Sequence, residues 1–93
     1  MAIRFALSAS RHGLSADRAL HVVAHCAIPI YPEPEAFGDP DRILFLGPDQ
    51  HGVPLEVMVI ELTDGDLLVI HVMRLSQQYR PQYRQVMEWH RRP

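Results

Sequence analysis

Arginines at positions 74, 80 and 84, tyrosines at 79 and 83 among them, and a histidine at 71 are the residues whose types and spacing suit chemistry. A guanidinium keeps its charge and grips a phosphate through parallel N–H bonds. A phenol can stack on a nucleobase, and an imidazole ordinarily gives and takes protons near neutrality. Together they suit binding, and cutting, a phosphodiester. Metal-free cleavage of RNA needs a base for the 2′-hydroxyl, a cation for the phosphorane charge and an acid for the leaving oxygen. Arg74 is the candidate cation, with His71, Tyr79, Tyr83 and His90 as candidate proton carriers. This reading requires Arg74, Arg80 and Arg84 to converge on one pocket.

Plainer roles compete for the same residues. His71 alternates with Leu67, Val69 and Met73, a spacing more often found for a packed, hydrogen-bonded core histidine. Tyr79 and Tyr83 can fill a core edge instead of stacking on bases. The arginines can form a solvated face or a docking patch. Elsewhere, His21 and His25 stand four apart on a predicted helix, as two zinc ligands would. The stretch His21-Val22-Val23-Ala24-His25 has no glutamate in the place that a His-Glu-x-x-His motif needs. Cys26 points about 100° away from His25. Surface histidines are the better reading there, and His51 reads as a turn residue. No metal or other cofactor is expected.

The elements that must position these groups follow from periodicity. Ile3-Arg4-Phe5 reads as a short edge strand and residues 6–12 as a short helix stopped by Gly13. Ser15 precedes Ala16, Leu20, Val23, Ala24 and Ala27 at helical spacing, with Asp17 in the first turn. This predicts a helix over 15–26 whose free amides the Ser15 hydroxyl accepts from. Pro29 ends it. Pro29, Pro32, Pro34 and Pro40 make residues 28–41 a loop, with an edge strand over 28–31 at most. Three apolar runs follow, predicting strands over 42–46, 55–62 and 67–73, the last two joined by a tight turn at Asp64-Gly65. Both faces of that pair are apolar, so it should be central and covered on both sides. The later part of 76–89 predicts a helix, with Pro81 in its first turn.

Ninety-three residues predict one domain, 1–93, with a single modest core. No window reaches the roughly 18 apolar residues of a membrane span, and the first residues lack an apolar signal core. The single cysteine cannot form an internal disulfide, so a cytoplasmic setting is expected. The net charge of −2 conceals zoning: residues 33–66 hold nine acids and one arginine, whereas 67–93 hold five arginines and one acid. A chain acidic on average can therefore present a local basic surface. There is no lysine.

The order of these parts resembles the RelE/ParE toxin superfamily, and within it the BrnT-like branch. The residues concerned are Arg11-His12-Gly13-Leu14-Ser15 opening a helix, a loop bearing Pro and acids, then Arg42–Leu46, Gly47, Gly52 and Leu55-Glu56-Val57. A strand ending Ile70-His71-Val72-Met73-Arg74 precedes a basic tail containing tyrosine. The family's strand usually ends Ser-Ala-Arg, and its tail commonly carries lysines. The resemblance implies an α+β fold, with an N-terminal helix or helices packed on a three- to four-stranded, mainly antiparallel sheet and a C-terminal helix. It implies the toxin of a bacterial toxin–antitoxin pair, an endoribonuclease acting on mRNA. Its partners would be RNA and a cognate antitoxin, commonly of the ribbon-helix-helix type. Arg74 matches the arginine closing the last strand, and Arg80, Tyr83 and Arg84 fall in the basic tail. On this reading Arg74, His71 and Tyr83 are catalytic, and Arg80, Arg84 and Tyr79 bind RNA. The alternative is a non-catalytic protein-binding or self-associating module of the same fold, including a homodimer. More remote is a metal-dependent hydrolase built on His21 and His25.

Overall fold

The computed structural model describes residues 2–34 and 38–91. Glu35 of the acidic loop and Arg92 of the basic tail lie outside them. The chain runs β1 (Ile3–Phe5), a 3-10 turn (Leu7–Ser10), α1 (Ala16–His25), β2 (Arg42–Pro48), β3 (Pro54–Glu61), β4 (Leu67–Arg74), a second 3-10 turn (Gln77–Tyr79) and α2 (Arg80–Arg91). The fold is α+β, and its sheet has the order β1-β4-β3-β2. β1 is parallel to β4, and the other pairs are antiparallel. The expected short helix over 6–12 shrinks to the Leu7–Ser10 turn, and the expected edge strand over 28–31 to one bridge, Ile30 to Leu44.

α1 starts where the apolar stripe starts, but Ser15 makes no side-chain cap. Its backbone carbonyl accepts from Ala19 N instead, at 3.3 Å. Ala19 and Val22, three apart, are its buried residues. They pack over Leu55, Val57, Val59, Val69 and Val72. Burying side chains of this size stabilises by about 1.5–3 kcal/mol each. Gly47 on β2 lets α1 approach: a Cβ there would lie 3.8 Å from the Val22 methyl. On the opposite face Val86 of α2 closes over Leu44 and Leu46, with Tyr79 and Tyr83 packed at the edge. The C-terminal helix thus covers the β2 end of the second face, while Met58, His71 and Met73 of the central β3–β4 pair line an open cleft on that face.

One irregularity decides which residues face which layer. The β3–β4 register steps from Met58↔His71 to Val59↔Val69, leaving Ile70 without a partner. Such a bulge re-aims the side chains after it. Val69 and Val72 therefore both enter the α1 core, and His71 does not share a face with Leu67 and Val69 as strict alternation predicts. It pairs instead beside Met58, on the α2 side. The Ile70 carbonyl accepts from Ser8 Oγ at 2.7 Å, which ties the first 3-10 turn to the bulge.

Candidate functional site

Residues 73–80 form a wall between two clefts. Arg74, Leu75 and Arg80 line one; Met73, Ser76, Gln78 and Tyr79 line the other.

The first cleft encloses about 420 Å³ and brings together Arg74, Arg80, Tyr83 and Arg84 over Pro54 and Leu75. Arg74 comes from the end of β4, opposite Leu55. Arg80 and Arg84 lie one helical turn apart on α2, so they share a face. All three are exposed. Among the described residues, no carboxylate lies within ion-pair distance of any of them. Three fixed positive charges with no ion pair among the described residues give the cleft a charge suited to an anion. Tyr83 lies between them, half-buried against the Val86 cluster. Partial burial raises its phenol above the ordinary value of 10.0, so it keeps its proton and can donate a hydrogen bond but does not serve as a base.

The second cleft, about 320 Å³, holds His71 and Tyr79 with Arg42, Glu56, Ser76 and Gln78. His71 is thus separated by the wall from the three arginines. Its partner is Glu56, a carboxylate only 3% exposed in the middle of β3. Glu56 Oε2 lies 3.2 Å from His71 Nε2, and Oε1 accepts from Ser76 N at 2.6 Å. The His12 ring stands edge-on to His71, centroids 5.4 Å apart and planes at 79°. The side-chain oxygen of Ser76 is buried without a hydrogen-bond partner among the described residues.

Other candidates resolve differently. His21 and His25 stack at 4.2 Å, and His25 Nδ1 lies 2.8 Å from the His21 carbonyl oxygen. Cys26 and His90 line the same cleft. Even so, among the described residues no group of three or more His, Cys, Asp or Glu is placed to hold a metal ion. His51 is exposed at the β2–β3 turn. The residues missed from sequence are Glu56, Asp49 and His12. A carboxylate interrupting Leu55-Glu56-Val57, in a run apolar on both faces, was the signal for Glu56. Asp49 in Pro48-Asp49-Gln50-His51-Gly52 carried an Asx-turn signal. Nothing in the sequence pointed from His12 to His71, 59 positions away.

No helix among the described residues is long and apolar enough to cross a membrane. No protein-family model, curated protein or solved structure matches this chain.

Proposed function

We propose that this chain is the toxin of a bacterial toxin–antitoxin pair, acting in the cytoplasm as a metal-independent endoribonuclease on mRNA. The observation that carries the reading is the gathering of Arg74, Arg80 and Arg84 on one cleft, with no carboxylate of the described residues within ion-pair distance of them. Phosphates supply most of the binding energy of RNA, and guanidinium forks are suited to hold them. Tyr83 adds an aromatic face at the cleft, and Tyr79 adds another at the neighbouring one. Stacking on such a face is worth about 1–3 kcal/mol per base. The resemblance to the RelE/ParE superfamily supports the same reading. The partner would be a cognate antitoxin, which in the BrnT-like branch is commonly a ribbon-helix-helix protein.

Expression of the chain alone should arrest bacterial growth, and Arg74→Ala should relieve the arrest. The purified protein should cleave single-stranded RNA in the presence of a chelator. Normal growth together with folded protein that neither binds nor cuts RNA would remove the reading.

A second reading, a protein-binding module of the same fold, is favoured by a separate groove of about 270 Å³ between the Ile28–Ile30 segment and α2. Exposed Trp89 flanks it, and the buried Gln82 Oε1 there has no hydrogen-bond partner among the described residues. Self-association detected by sedimentation, without RNA binding, would favour this second reading.

A further inference from the structure

We propose that His71 and His12 are the proton-transfer pair of this nuclease, with Glu56 as the positioning residue that holds His71; the inference rests on the nuclease reading above. The sequence offered His71 as one of several proton carriers. The fold selects it, gives it an orienting partner and adds a second imidazole.

In the proposed tautomer Nε2–H of His71 donates to Glu56 Oε2, 3.2 Å away, which leaves a lone pair on Nδ1. Glu56 is itself fixed by burial and by the 2.6 Å bond from Ser76 N. The His71 side chain remains 34% accessible, so a substrate can reach it. A half-exposed histidine anchored by a buried carboxylate is the arrangement of an oriented general base.

His12 is brought to the same place by a chain of local causes. Ile70 bulges, Ser8 Oγ binds its released carbonyl, and the 3-10 turn docks beside β4. Gly13, in a left-handed conformation at φ 72°, turns the chain directly after His12. His12 itself is exposed, so it can exchange protons with water. The charged and titratable groups about His71 are Glu56 from β3, Arg42 from β2, Tyr79 from the second 3-10 turn and His12 from the N-terminal segment.

The step balances without a co-reactant. His71 Nδ1 takes the proton of the 2′-hydroxyl as the 2′-oxygen bonds to phosphorus. The bond from phosphorus to the 5′-oxygen breaks, and protonated His12 gives that oxygen its proton. The products are a 2′,3′-cyclic phosphate and a 5′-hydroxyl. Solvent then returns each imidazole to its starting state.

The test compares wild type with His71→Ala, His12→Ala and Glu56→Gln on a single-stranded RNA, measuring kcat, binding by anisotropy and the pH–rate profile. His71→Ala and His12→Ala should each lower kcat roughly a hundredfold or more with Kd almost unchanged, each removing a different limb of the profile. Glu56→Gln should lower kcat roughly tenfold. Nitrogen NMR of wild type should show His71 with its proton on Nε2, a readout that does not depend on any variant folding. RNA cleavage by wild type that His12→Ala and His71→Ala leave intact would overturn the pair while sparing the nuclease. So would a His71 proton found on Nδ1. Absence of any cleavage by folded wild type would overturn both.

Discussion

Arg18 Nε donates to Asp49 Oδ2 at 2.5 Å, joining α1 to the β2–β3 turn through a carboxylate whose side chain is fully buried. The other oxygen, Oδ1, accepts from the amides of His51 at 2.8 Å and Val53 at 3.0 Å. Asp49 therefore caps its own turn and anchors the helix. Breaking a buried pair from one side leaves the other partner uncompensated, at about 3–5 kcal/mol. Arg18 is 20% accessible, which places Asp49→Ala toward the lower end of that range. Chemical denaturation should show the loss.

The same carboxylate sets an acid limit on stability. Burial alone would raise its pKa, but the Val53 amide, the Arg18 side chain, the His51 amide and the Arg18 charge outweigh burial and hold it below 3.8. A group depressed in the folded state stabilises fully above its unfolded value, and that stability is lost as pH falls through the folded value. Stability measured from pH 6 downward should thus fall once pH passes below the ordinary carboxyl range. The fall should be shallower in Asp49→Asn.

Arg80 and Arg84 should act on affinity through charge. On single-stranded RNA each phosphate contact contributes about 0.7 to the slope of log K against log salt. Replacing both by alanine should lower that slope by roughly 1.4 and weaken binding similarly on every sequence. Anisotropy titrations over a range of salt concentrations check this. An unchanged slope would mean that the RNA lies elsewhere.

Tyr83 should behave as a proton-bearing surface and not as a base. Its phenol is raised above 10.0 by burial, so the difference between ultraviolet titrations of wild type and Tyr83→Phe should show a late-ionising tyrosine. The associated stability is present below the unfolded value and lost as pH rises through the folded one. Tyr83→Phe should retain activity near neutrality, whereas Tyr83→Ala should lose both stacking and packing against Val86.

Gly13 tests the placement of His12. A side chain there would meet no atom within 4 Å, so Gly13→Ala should cost about 1 kcal/mol from the left-handed backbone alone. Gly13→Asn should cost less, because asparagine tolerates that conformation. Thermal melts of the two variants check the order.

Much of this architecture was legible from local pattern. Apolar runs at periods of two and 3.6 placed the strands and both helices, because burial of one face is what those periods encode. Asp64-Gly65 and Pro81 marked a turn and a first helical turn. The spacing of Arg80 and Arg84 on one helix already placed them on one face, a local property of the helix. Local pattern could not anticipate the bulge at Ile70, since a single extra residue leaves hydrophobic content unchanged while reversing the faces after it. His71 and Arg74, three apart beyond the bulge, take opposite faces by strand alternation alone, whereas the pairing of His71 with Glu56 and the arrival of His12 depend on that bulge and on strand register. Those are contacts between residues distant in the chain, and their energies are settled only once the sheet has closed.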